Sequence, residues 1–112
     1  LLEIPAGIRD VDGEPPEETA RRELEEEAGL RAVGPLELLT EYVVAVGLTD
    51  ELLAIYLCRE TEACAARPQS AEEELMEVVE VALDDVPAMI ADGRIRDGKT
   101  IIGLLLALDR VS

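Results

Sequence analysis

The chain has 112 residues, 48% of them hydrophobic and 32% charged, with a formal net charge of −16. One domain accounts for this length, and the apolar fraction excludes an intrinsically disordered chain. The charge excludes nucleic-acid binding through a basic surface and adsorption to an anionic membrane, because both need clustered Lys and Arg.

Leu1 to Pro5 predicts a short strand that Pro5 and Gly7 end. The chain opens without Met inside that strand, so an N-terminal segment is expected to precede it. Ala6 to Glu14 reads as a loop, and Pro15-Pro16 as a helix start, since Pro suits the first turn. The helix is expected over Pro16 to Ala28, with Gly29 at the C′ position. Leu36 to Val46 and Leu52 to Glu60 predict strands joined by a turn at Gly47-Leu48-Thr49-Asp50. Ala63 to Ala71 reads as a loop and Val78 to Leu83 as a further strand. Asp84-Asp85-Val86-Pro87 predicts an Asp-capped helix ending near Gly93, and a last helix runs from about Thr100 to Val111. The longest apolar stretch, Ile101 to Leu108, falls well short of the ~20 residues a membrane span needs. This succession of strands and helices gives an α/β or α+β class.

With no His, Trp or Phe, the chain lacks His-based triads, His-ligated zinc and the usual stacking platforms. Cys58 reads as a buried strand thiol and Cys64 as a loop thiol. Two cysteines make no disulfide framework, which points to a reducing cytoplasm. Tyr42 and Tyr56 read as strand residues.

The segment Glu17 to Leu30 carries most of the chemistry. At about 100° per residue, Ala20, Leu24 and Ala28 form one apolar stripe. Glu23, Glu26 and Glu27 share a neighbouring face, and Glu25 points elsewhere. Like charges so spaced repel mildly unless a cation sits among them. Mg²⁺ and Mn²⁺ take carboxylate oxygens in near-octahedral geometry, with water and phosphate completing the shell.

The spacing Gly7-x6-Glu14-x7-Arg22-Glu23-Leu24-x-Glu26-Glu27-x-Gly29-Leu30 resembles the Nudix box of the Nudix hydrolase superfamily. The family form has one residue fewer between Gly7 and Glu14, and from Glu14 to Leu30 the register matches. Leu2-Glu3-Ile4-Pro5-Ala6-Gly7, Glu77-Val78-Val79-Glu80-Val81 and Asp97-Gly98-Lys99-Thr100 resemble flanking segments of ADP-ribose pyrophosphatases. The resemblance implies an α/β/α sandwich with a mixed sheet. It implies one Nudix domain over residues 1–112, lacking N-terminal strands that relatives often exchange across a homodimer.

It also implies roles. Glu23 and Glu27 are expected to bind Mg²⁺ or Mn²⁺, with Glu26 a third ligand or a water-positioning base. The Ala6 carbonyl is an expected further ligand, Arg22 orients the carboxylates, and Glu14 tethers the loop to the helix. In the run Glu72-Glu73-Glu74, Glu72 aligns best with the general base, Glu73 is a second candidate and Glu74 an additional metal ligand. The implied reaction is pyrophosphate hydrolysis in a nucleoside diphosphate linked to another group, with ADP-ribose favoured, giving AMP and ribose 5-phosphate. One departure bears on substrate: Val46-Gly47-Leu48-Thr49-Asp50-Glu51 keeps Gly47, Thr49 and Glu51 of the family's substrate loop, but Val46 replaces its usual Pro. GDP-mannose, a nucleoside triphosphate and a non-catalytic nucleotide-binding module are the alternatives.

Gly93 to Thr100 fits the P-loop expression, but a helix and not a strand is expected before it, so it reads as a helix–helix connection. Asp10-Val11-Asp12-Gly13 starts like a calcium loop, yet position twelve is Arg21 and not Glu.

Overall fold

The computed structural model describes residues 1–6, 13–49, 51–65 and 76–112. The first helix, α1 (Pro16–Glu23), has Pro in its first turn with Glu17 and Glu18, and Arg21 and Arg22 in its last. That charge order suits the helix dipole. It continues as a π-helical turn, Leu24–Ala28, closed by Gly29 at φ 66° and ψ 30°. This left-handed geometry is where glycine belongs. The helix thus has the expected limits, with its second half widened.

Four short strands follow. They are β1 (Leu30–Ala32), β2 (Glu37–Val43), β3 (Leu52–Leu57) and β4 (Thr61–Ala63). β2 and β3 form an antiparallel hairpin, Glu37 opposite Leu57 and Val43 opposite Leu52, with an irregularity between Leu38 and Thr40. Its turn is closed by the Leu48 and Thr49 amides on the Ala45 carbonyl. β1 pairs antiparallel with β4, Leu30 opposite Ala63. The sequence reading had a loop from Ala63 on and nothing at Leu30. Three-residue strands offer too little periodicity to read.

Two expected strands take other forms. Leu1 to Ala6 alternates exposed and half-buried residues, as an extended segment does, but joins no ladder among the described residues. Its donors flanking Pro5 end on side chains: the Ile4 amide on Thr100 Oγ1 at 3.0 Å, the Ala6 amide on Glu27 Oε2 at 3.0 Å. Val78 to Leu83 is likewise outside the described ladders, with Val78 and Val79 exposed. Branched residues favour a strand only where a neighbour packs on them. Leu83–Asp85 is instead a 3₁₀ turn.

Helix α2 (Val86–Ala91) follows that turn, and α3 (Gly98–Val111) closes the chain. Asp85 precedes α2 without a side-chain cap bond, so the expected Asp cap is not formed there. Asp97 does cap α3, accepting from the Thr100 amide. The Gly93 to Thr100 segment therefore links two helices, as the sequence reading had it. Val86, Met89 and Ile95 form one buried cluster, with Leu2, Val81, Leu83, Ile90, Ile101 and Leu104 packed around them, and Ile55 and Ala107 are buried beside a cleft. The class is α+β, and both described ladders are antiparallel. Among the described residues no helix is long and apolar enough to cross a membrane.

Candidate active site

The most buried face of the first helix is polar. Thr19, Glu23 and Glu26 are 6%, 7% and 9% exposed, while Ala20, Leu24 and Ala28 are only half-buried. Carboxylates at that depth need a cation or hydrogen-bond donors. Arg22 serves there. Its Nη1 donates to Glu23 Oε1 at 3.0 Å and to Glu26 Oε2 at 3.3 Å. Its Nε and Nη2 form a fork on Glu14, at 3.3 Å to Oε2 and 3.1 Å to Oε1. Planar guanidinium-to-carboxylate forks fix orientation as well as charge. Hydrogen bonding to Glu14 raises the Arg22 pKa above its ordinary value, against the opposing effect of burial.

The Thr19 hydroxyl donates to Glu14 Oε1 at 2.7 Å. Glu14 is thereby held from two positions on α1. Thr19 is a site residue the sequence reading missed. The available signal was its place one helical turn before Glu23 on the same face.

Glu27 Oε2 accepts from the Ala6 amide at 3.0 Å, which brings Leu1 to Ala6 against the acidic helix. The two sides meet at a cleft of about 760 Å³ bounded by Ile4 to Ala6, α1, β2, β3 and α3. Its charged lining comes from Glu23, Glu41, Glu51 and Lys99, and Tyr56 and Cys58 also face it. Cys58 lies just beyond β3 and is half-buried, not the buried strand thiol expected.

At the α3 end of the cleft, Lys99 Nζ bonds Glu3 Oε1 at 2.7 Å and Asp97 Oδ2 at 2.9 Å. Burial opposes the charge on Lys99, yet these two carboxylates hold its pKa above the ordinary value. Burial likewise opposes the Asp97 charge, but hydrogen bonds from Thr100 and Lys99 bring its pKa below the usual carboxylate value. The Tyr42 hydroxyl is pushed up by burial and by the neighbouring Asp97 charge.

The remaining expected residues fall as follows. Gly7, Glu72, Glu73 and Glu74 lie outside the described residues. Gly47 and Thr49 are exposed and off the cleft, Glu51 lines it, and the Glu51 amide donates to Thr49 Oγ1 at 3.0 Å. Val46 is 87% exposed.

Among the described residues no three acidic, Cys or His side chains converge closely enough to hold a metal. The donor chemistry nevertheless fits a hard divalent cation. Glu23 and Glu27 stand one turn apart, Glu27 touches the Ala6 backbone, and the two carboxylates and the Ala6 carbonyl all offer oxygen.

The NUDIX domain family model matches residues 1–102. The chain is 37% identical over 100 residues to the ADP-ribose pyrophosphatase of Bacillus subtilis (strain 168), covering 89% of this chain and 53% of that protein. It is 38% identical over 107 residues to the GDP-mannose pyrophosphatase of Yersinia enterocolitica, covering 96% of this chain and 55% of that protein. The methanol dehydrogenase activator of Bacillus methanolicus is 34% identical over 104 residues, covering 93% and 55%. The chain thus spans about half the length of the curated relatives it matches. With a family match over nearly its whole length, laid on an acidic helix oriented by one arginine, the chain belongs to the NUDIX domain family.

Proposed function

We propose that the chain carries the site of a Nudix pyrophosphatase that hydrolyses a nucleoside diphosphate linked to another group, using Mg²⁺ or Mn²⁺. ADP-ribose is the favoured substrate. The observation that supports this most is the buried Glu23–Arg22–Glu26 arrangement with Ala6 drawn onto Glu27 beside an open cleft. A divalent cation bound by Glu23, Glu27 and the Ala6 carbonyl, with Glu74 as a further ligand, would neutralise phosphate charge and make a bound water more acidic. Arg22 keeps Glu23 and Glu26 in fixed orientations, and Glu14 with Thr19 keeps Arg22 in place. Glu26 serves as a ligand or positions the water. Glu72, or Glu73 beside it, takes the proton of the attacking water. Water oxygen bonds to one phosphorus, the bridging P–O bond breaks, and the products from ADP-ribose are AMP and ribose 5-phosphate. The reading includes a cytoplasmic location and a homodimer, and sedimentation of the purified protein tests the homodimer.

A second substrate, GDP-mannose, is favoured by Val46 in place of the usual Pro and by relatives named as GDP-mannose pyrophosphatases. The test is a panel of ADP-ribose, GDP-mannose and nucleoside triphosphates, with phosphate release coupled to alkaline phosphatase, in Mg²⁺ and in EDTA. The expected result is Mg²⁺-dependent release greatest with ADP-ribose. Glu23→Gln and Glu27→Gln are expected to lower it about a hundredfold or more while circular dichroism stays unchanged. Greater release from GDP-mannose replaces the substrate and keeps the chemistry. Silence from a folded, metal-binding protein points to a non-catalytic nucleotide-binding module.

A further inference from the structure

The Asp97-Gly98-Lys99-Thr100 segment, which lacks a P-loop's setting, has a different use in the fold. Its side chains grip the extended segment that carries Ala6. Thr100 is 2% exposed. Its hydroxyl donates to Asp97 Oδ2 at 2.7 Å, and its lone pairs accept the Ile4 amide at 3.0 Å. Lys99 spans Glu3 and Asp97. One turn further on, Gly103 lets Ile4 come close: a Cβ there would stand 3.2 Å from Ile4 Cδ1. Three consecutive features of α3 thus fix Glu3 and Ile4. Two residues later the Ala6 amide meets Glu27. An extended pair of residues leaves little slack between the Ile4 and Ala6 amides, since Pro5 also fixes its own φ.

We propose that Thr100 is a positioning residue for divalent-cation binding, assisted by Lys99, acting by holding the Glu3–Ala6 backbone in register against Glu27. The proposal rests on the metal-dependent reading above. The Thr100 hydroxyl bonds Asp97 and the Ile4 amide, so its effect on Glu27 passes through the backbone from Ile4 to Ala6. Groups one shell removed from ligands commonly tune metal affinity about 10–100-fold.

The test is Mn²⁺ binding by isothermal titration calorimetry, well below the melting temperature of each variant. Thr100→Val keeps the shape and removes both hydrogen bonds. It is expected to weaken Mn²⁺ binding about tenfold, and Thr100→Ser to restore it. Lys99→Met is expected to weaken it by a smaller factor, and stands in if Thr100→Val does not fold. Equal Mn²⁺ affinity in wild type, Thr100→Val and Lys99→Met, with binding still lost in Glu27→Gln, overturns the proposal and leaves the functional reading standing. Binding insensitive to Glu23→Gln and Glu27→Gln in the parent protein overturns both.

Discussion

Arg22 shows how one side chain organises several acids. Its guanidinium meets Glu14 as a two-bond fork and reaches Glu23 and Glu26 with the remaining nitrogen. A lysine ammonium keeps the charge but cannot reproduce the fork. Arg22→Lys is therefore expected to cost about 1–3 kcal/mol, read as the midpoint shift in urea unfolding. Its larger effect should fall on turnover, since Glu23 and Glu26 lose their common anchor. Resemblance to the Nudix box implied that Arg22 pairs with a box carboxylate, and the structure places its guanidinium on Glu14, Glu23 and Glu26. Thr19 was not read, although it stands one helical turn before Glu23, because the use of a lone threonine on a Glu-rich helix shows only once its hydroxyl is seen on Glu14.

At the scale of elements, α3 is where burial and polarity compete. Gly103 faces Ile4 and Ile55, the nearest atoms of both lying 3.2 Å from an added Cβ. Ile55 is itself 5% exposed and has little room to yield. Gly103→Val is expected to destabilise by about 1–3 kcal/mol through overpacking, measured by thermal or urea unfolding. The α3 cap brings a pH dependence. Asp97 bonds Lys99 and Thr100, its charge acts on the Tyr42 hydroxyl, and Glu3 pairs with the same Lys99. Its folded pKa lies below the unfolded one, so its contribution is present above about pH 4 and fades as pH falls through the folded value. The melting-temperature gap between wild type and Asp97→Asn is expected to shrink between about pH 6 and about pH 3. Pro at the start and Gly at the end made the first helix legible, whereas the Asp97 cap of α3 was not read and the expected start at Thr100 lies two residues inside the helix. The π-helical turn was not legible, because the same residues suit an α-helix and only the hydrogen-bond partners differ. Leu1 to Pro5 and Val78 to Leu83 were read as strands from their composition, yet a strand also needs a neighbour, and composition does not name one.

For the molecule as a whole, the net charge of −16 sets a self-repulsion that folding concentrates. The exposed ion pairs, such as Arg94–Asp92 and Arg31–Glu62, offset little of it. Added NaCl should therefore raise the melting temperature between about 0.01 M and 0.15 M, where the screening length falls from about 30 Å to about 8 Å. A falling melting temperature over that range would show that attractive pairs outweigh the repulsion. The bond from the Ile4 amide to Thr100 spans 96 positions in sequence. During synthesis at ~5–20 residues per second, Ile4 waits roughly 5–20 s for its partner to be made. Glu27 is made well before that partner, so the acidic helix can form while the backbone destined to face it is still unanchored. A ribosome stalled short of Thr100 would display the acids without their opposite wall, and on the proposal above the nascent chain would hold a divalent cation more weakly until α3 emerged.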